Sequence, residues 1–466
     1  MPGGLLQLMA YGAQNLYLNG NPSLSFFKKV FKTHTNFATE SMRLNFNRTT
    51  MNISENTMLI CKIDRNADML QNMYFAMTIP SIPKRNNISG KEKFKFVQNL
   101  GEVIIDNYYI TIGGNIVDKQ YGEWLHIWNE LSLSSDKRYG YSKLIGNIAS
   151  IFAPDDHSNN DLKDGDIQVF ERRIYVPLLF WFNKIPGLAL PLISLQYHQI
   201  EVHIELRPLI DIFTLGSTVI PLTGTPATTP KPKISDCDRY FTVDNNSIHI
   251  DPYIETNYIF LDTNERKYFA KNSQEYLIEQ VNRITFNNLK NNNLLTLDVH
   301  NPVKEFIWVI GRNDRSVENR WFDFTDWETV KITSTTNPNI IDVKKYTESS
   351  VNGEIMKSAR FLFNGLDRME AKDNYFFNII QPYQHHTHIP STPGIYVYSF
   401  SLNPENFQPS GSCNMSKINK VQMYVDVNEP VPDTSGDSKY AYDMTLYSIN
   451  YNFLKITSGL GGLIYA

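Results

Sequence analysis

At 466 residues the chain is longer than one hydrophobic core usually organises, so two domains are expected. Apolar residues at 42% and charged residues at 20% exclude wholesale disorder, and a formal net charge of −4 excludes the basic face of a dedicated nucleic-acid binder. Aromatics reach 13%, mostly Tyr and Phe, and with many short Asn clusters they favour strands joined by long loops, an all-β chain.

The chain opens on a small-residue and apolar arm, residues 1–37, before any strand pattern. Pro2 stands where a myristoylation signal needs Gly, and Met1 to Tyr11 has neither the charged start nor the length of a secretory signal, so the protein is expected to be soluble and cytosolic when made. Phe26, Phe27, Val30 and Phe31 have spacing that suits one face of a short helix, packed on its own domain or on a neighbour. Lys28, Lys29 and Lys32 read as a solvated or protein-contacting face. From Met42 the period becomes two, with Leu44 and Phe46 alternating against polar neighbours. A strand is expected over 103–112, turned at Gly113-Gly114-Asn115 into Ile116-Val117. Trp124, Ile127, Trp128 and Leu131 then form the apolar stripe of a helix. Residues 200–207 alternate strictly until Pro208 closes the strand, and the Ser/Thr/Pro/Gly-rich stretch from Thr214 to Pro232 reads as the domain boundary.

The second half repeats the style. Phe306 to Ile310 is continuously apolar, as in a buried strand, and Ile395 to Phe400 mixes β-branched and aromatic residues. Val421 to Asn428 alternates, Tyr447, Ile449, Tyr451 and Phe453 give a last strand, and the Gly-rich end reads as a flexible tail. A weak echo sets Phe180-Trp181-Phe182, Pro186-Gly187 and the strand at 200–206 beside Tyr375-Phe376-Phe377, Pro393-Gly394 and the strand at 421–427. The pattern fits two tandem sandwiches, of which the jelly roll is one common form.

No catalytic, cofactor or metal site is expected. Cys61, Cys237 and Cys413 show no zinc spacing and leave one unpaired under any single disulfide, which suits a reducing compartment. His385, His386 and His388 lie between prolines without a carboxylate or Cys at ligand spacing, so they read as loop or interface residues. Asp155, Asp156, Asp161, Asp164 and Asp166 lack the EF-hand spacing and read as a solvated turn. Neither a Gly-x-Ser-x-Gly elbow nor a Walker loop is present, and Glu201 and Glu205 stand ~13 Å apart by strand rise, too far for a glycosidase pair. Sequons occur at Asn47, Asn52, Asn87, Asn245 and Asn414, with the loop residues Asn87 and Asn245 the candidates for glycosylation.

Several strings, in order from residue 3 to residue 463, resemble the major capsid proteins of nucleocytoplasmic large DNA viruses. They are Gly3 to Leu8, Ala10 to Gln14, Leu18 to Pro22, His34 to Ala38, Ile112-Gly113-Gly114, Trp124 to Leu131, Phe180 to Ile193, Leu195 to His198, Gly411 to Ser416 and Asn450 to Leu463. The resemblance implies an all-β fold of two tandem jelly-roll β-sandwiches with long loops and a few short helices. The expected layout is an arm at 1–37, a first jelly roll at 38–212, a linker at 213–235, a second jelly roll at 236–456 and a tail at 457–466. It also implies a virion shell subunit, assembled in the host cytoplasm as a homotrimer of pseudo-hexagonal outline. Its partners would be neighbouring capsomers, minor capsid proteins and internal membrane proteins, with no sequence-specific nucleic acid. Leu5, Leu6, Leu8, Met9, Tyr11, Phe26 and Phe27 would make up the assembly arm. The alternatives are a minor capsid or penton jelly-roll protein, or a double jelly-roll protein that binds or acts on glycans.

Overall fold

The computed structural model describes residues 3–84, 92–152, 165–217, 231–326, 330–333, 341–344, 353–430 and 440–465. The chain divides into two compact units, Met1–Phe37 and Ala38–Ala466.

The N-terminal unit holds a helix at Gly3–Met9 and a short one at Leu16–Asn19. Residues 28–36 carry no helix, so the face predicted from Phe26, Phe27, Val30 and Phe31 does not form. That spacing spans little more than one turn, and a helix so short is marginal without packing.

Among the described residues, the larger unit contains two sandwiches with eight main strands each, flanked by shorter paired segments. The first is built from β1 (Phe37–Asn45), β2 (Thr57–Lys62), β3 (Met69–Ile79), β4 (Ile105–Ile112), β5 (Asn115–Tyr121), β6 (Arg172–Pro177), β7 (Ile200–Leu206) and β8 (Tyr253–Leu261). Its sheets run β1-β8-β3-β6 and β2-β7-β4-β5. The second is built from β9 (Gln274–Leu289), β10 (Asn293–Leu297), β11 (Pro302–Arg312), β12 (Met356–Phe363), β13 (Leu366–Asp367), β14 (Ile395–Ser399), β15 (Val421–Val427) and β16 (Tyr442–Thr457). Its sheets run β9-β16-β11-β14 and β10-β15-β12-β13. In both, one sheet takes the first, eighth, third and sixth strands and the other the second, seventh, fourth and fifth. This is the jelly-roll order, and the fold is all-β.

Local chemistry explains the strands that were predicted. β7 alternates buried Ile200, Val202, Ile204 and Leu206 with half-buried polar residues. Gly113 and Gly114 take φ of +61° and +84°, which lets β4 turn directly into β5. Most other left-handed residues are Asn, the non-glycine type that tolerates that region best.

Four expectations are corrected. Residues 100–104 form a helical turn, so β4 begins at Ile105 and not at 103. The domain boundary moves: β8 pairs along β3, which places 236–261 in the first sandwich, and the sandwiches part at 262–273, where a helix spans Thr263–Lys271. The Ser/Thr/Pro/Gly-rich stretch is therefore a connection between two strands of one sandwich. Phe213–Ser217 of the expected linker pairs with Glu92–Phe96, and residues 218–230 lie outside the described residues. The expected tail forms a strand, β17 (Leu460–Leu463), paired with β16. Finally, 200–206 and 421–427 are both seventh strands, but Phe180-Trp181-Phe182 follows a sixth strand while Tyr375-Phe376-Phe377 precedes one, so that part of the echo does not align.

Candidate assembly interface

The two sandwiches meet along an apolar seam created by one helix. α1 (Gly122–Ser132), which follows β5, buries Trp124, Ile127, Trp128 and Leu131 against Val281, Ile307, Val309, Ile395, Val397, Tyr447 and Ile449 of the second sandwich. That is why Phe306 to Ile310 is apolar without alternation. Phe306, Trp308 and Ile310 face the second sandwich's own core, while Ile307 and Val309 face the seam. A sheet covered on both sides needs apolar residues on both. β9 and β16 run beyond their own sandwich, and Ile278, Leu454 and Ile456 join the first core. Phe453, in the last strand with Tyr451, is exposed at 36%.

Polar contacts lock the seam. Glu123 of α1 accepts from Arg315 at 2.9 Å and from the Tyr447 hydroxyl at 2.7 Å. Gln280 donates to the Val117 carbonyl at 2.7 Å, and the His388 amide to the Leu131 carbonyl at 2.9 Å. Asn319 and Trp321 donate to carbonyls of residues 210, 211 and 213 at 2.8 to 2.9 Å. The C-terminal strand docks on the first sandwich: Tyr197 donates to the Gly459 carbonyl at 3.1 Å, and the Gly461 amide bonds the His198 Nδ1 at 3.2 Å.

Buried charge concentrates at the same place. Lys304 has a side chain 0% exposed and pairs with Glu279, which also pairs with Lys184. Burial would raise the Glu279 carboxyl, but the two lysines hold it below the ordinary range. Both ammonium groups lie over the Trp128 ring, at 5.4 and 5.7 Å from its centroid. A register shift between Val303 and Glu305 breaks the alternation of β11 beside Lys304. Burial, helped by the nearby Glu279 charge, lifts the Asp118 carboxyl to about 7, against a Gln120 hydrogen bond and the Lys184 charge that pull it down. A small cleft lined by Gln120, Trp124, Lys184 and Glu279 has room for about one water and for no ligand.

Of the three histidines, only His386 is central. It is fully buried between Glu305 and Glu405, each at 3.0 Å, and although burial opposes its charge the two carboxylates raise it to about 9. The sequence could not show this pairing because the carboxylates come from strand β11 and a distant loop. Among the described residues no group of His, Cys, Asp or Glu is arranged to hold a metal. His385 bonds the Leu402 carbonyl at 3.0 Å, and Arg138 reaches His388 at 3.0 Å. Glu201 lies by His203 at 3.3 Å, whereas Glu205 accepts from Asn56 at 3.0 Å and from Asn107, so the two carboxylates serve separate neighbours.

The predicted arm residues Leu5, Leu6, Leu8, Met9, Tyr11, Phe26 and Phe27 are all exposed, Phe27 fully. Asn245 sits in an exposed turn with Asn246, at φ +47° and +58°. Asn87 lies outside the described residues, as do Asp155, Asp156, Asp161 and Asp164. Asn47 is engaged through its side chain by the Ile60 amide, and Asn52 lies in a short strand paired with Ser247–His249. The three cysteines are free.

A family model described as major capsid protein N-terminus matches residues 25–262, and one described as large eukaryotic DNA virus major capsid protein matches 265–462. The division between them coincides with the division between the sandwiches. The major capsid protein of Phaeocystis pouchetii virus is 32% identical, with all of both chains covered. That of Paramecium bursaria Chlorella virus 1 is 31% identical over the full length of both. A chain of the PBCV-1 virus capsid superposes with a TM-score of 0.69 at 25% identity, covering 95% of this chain and 100% of that one. The chain therefore belongs to the major capsid proteins of large eukaryotic DNA viruses, structural components of the virion shell and not enzymes.

Proposed function

We propose that this capsid subunit works as a homotrimer whose six sandwiches stand in a ring of pseudo-hexagonal outline, and that such capsomers tile an icosahedral shell. One observation carries the reading: two sandwiches of identical strand order are fixed side by side by a buried seam, so each chain brings two nearly equivalent lobes. Three such chains make six lobes, which pack on a surface as hexamers do. Native mass spectrometry of the purified protein tests this, with a trimer expected. A strict monomer at every concentration would contradict it.

The arm faces the shell interior in this reading, where its apolar side chains meet minor capsid proteins, neighbouring capsomers or proteins of an internal membrane. Its exposed Leu, Met and Phe side chains support that role, because so much apolar surface requires a partner. Deleting residues 1–24 is expected to leave folded trimers that no longer assemble into shells. Loss of soluble trimer would place the arm in the capsomer itself. The exposed turn at Asn245 is the described sequon best placed to carry a glycan, readable as a mass shift of that peptide from virions that Asn245→Gln removes.

A further inference from the structure

One loop closes off the buried charges of the seam. Residues 401–411 lead from β14 towards β15, and their neck is drawn shut where the Leu402 amide donates to the Ser410 carbonyl at 3.3 Å and the Asn403 amide to the Ser410 hydroxyl at 2.9 Å. A compact loop with its ends together is a unit of its own. Seam residues hold its inner side: Lys304 donates to the carbonyl of the buried Pro404, and the His386 Nδ1 and the Thr387 amide meet one oxygen of Glu405 at 3.0 and 2.9 Å. Phe407 then packs against the first core, although the loop belongs to the second sandwich.

The hold on Glu405 depends on one imidazole. Facing His386 are the carboxylates of Glu305 from β11 and Glu405 from the loop, and the Trp128 ring of α1 edge-on at 6.1 Å, with Lys304, Glu279 and Lys184 grouped about that ring. Doubly protonated, the imidazole donates to both carboxylates, whereas a neutral ring has one N–H and donates to one. Glu305 is fixed in a strand with its side chain 0% exposed, and its second oxygen has no hydrogen-bond partner among the described residues. Glu405 sits on a loop and is 19% exposed. When the ring loses its proton, Glu405 is therefore the carboxylate free to turn to water.

We propose that residues 402–410 form a latch over the seam that opens and closes as one piece while both sandwiches stay folded, with the His386 to Glu405 contact as its catch. Closed, the latch seals Lys304 and fastens the second sandwich to the first through Phe407. Open, it admits water to Lys304 and Glu279, while the apolar packing of α1 keeps the sandwiches together. A shell subunit thereby has a way to loosen the joint between its two lobes without unfolding either. Local openings of this kind cost less than global unfolding and involve contiguous segments.

The test compares wild type with Glu405→Ala and Phe407→Ala at pH 7, reading acetylation of Lys304 by an amine-acylating reagent and amide hydrogen exchange, both by mass spectrometry. Either variant is expected to speed Lys304 acetylation by at least ~10-fold, and Phe407→Ala to speed exchange of the Thr387 amide, which bonds Glu405 and not Phe407. Amides of β7 and β15 should exchange as in wild type. In wild type, Lys304 acetylation relative to the exposed lysines of the same sample should step up as pH rises through about 9, and His386→Gln should remove the step. If Phe407→Ala leaves Thr387 and Lys304 as in wild type, the loop does not move as one piece and the latch is overturned. Strand amides that speed up in step with the loop, or a wild type without the pH step, overturn it equally. Should Phe407→Ala not fold, the wild-type pH series decides.

Discussion

The two sandwiches share a strand order and differ in the outer face of corresponding sheets. On the second, Ile307, Val309, Ile395, Val397, Tyr447 and Ile449 form an apolar surface buried under α1. On the first, the corresponding sheet carries Arg43, Arg173 and Asp251 linked by ion pairs of 2.7 and 3.1 Å, with arginines about 40% exposed. Repeated topology therefore does not bring repeated surface chemistry. One face is committed permanently within the chain, and its chemistry is that of a core. The other carries ion-paired residues that remain partly in water.

The sharpest way to break this comparison is to strand a charge in the seam. Glu279→Ala leaves Lys304 buried without its carboxylate and is expected to cost ~3–5 kcal/mol in denaturant unfolding. A loss under 1 kcal/mol would mean that water reaches the seam. Next, Ile307→Ala should cost ~2–5 kcal/mol. Arg43→Ala on the first sandwich's outer face, measured on dissociated subunits, should change stability by no more than ~1 kcal/mol. Equal costs would erase the distinction between the faces. Gly394→Ala should cost about 1–3 kcal/mol, because φ is +89° and a Cβ would lie 2.3 Å from the carbonyl oxygen of Phe324, itself a seam residue.

The buried titratable groups add a pH dependence. His386 is raised to about 9, so its stabilisation is complete below its ordinary value of 6.5 and is lost as pH rises through about 9. Asp118 is raised from 3.8 to about 7, so folding is favoured by its proton below 3.8 and that advantage is lost as pH rises through about 7. Both act in one direction, and melting temperature should fall from pH 6 to pH 9. Asp118→Asn should flatten the first part of that fall and stabilise the protein at pH 8 relative to the wild type. His386→Gln should flatten the second part. A profile unchanged in both variants would show that these groups are not buried as described.

Elements whose signal is local were legible in the sequence: the alternation of β7, the Gly113-Gly114 turn and the stripe of α1 each depend on residues within one turn or strand. The domain boundary was not, because a Ser/Thr/Pro/Gly-rich stretch marks the chain leaving a core whether or not it enters another. Nor could the C-terminal strand be read, since Gly459 and Gly461 are explained by the closeness of Tyr197 and Leu195, over 250 residues away in sequence. The seam was half visible. Strings quoted for the family resemblance, 124–131, 180–193, 195–198 and 450–463, include Trp128, Lys184, His198 and Gly461, which meet the other sandwich. Their pairing with Glu279 and with each other required the fold.

The most direct test of the account is a cryo-electron microscopy reconstruction of the purified capsomer. It should show three chains, each contributing its two sandwiches to a hexagonal outline. A particle without threefold symmetry would contradict the capsomer itself.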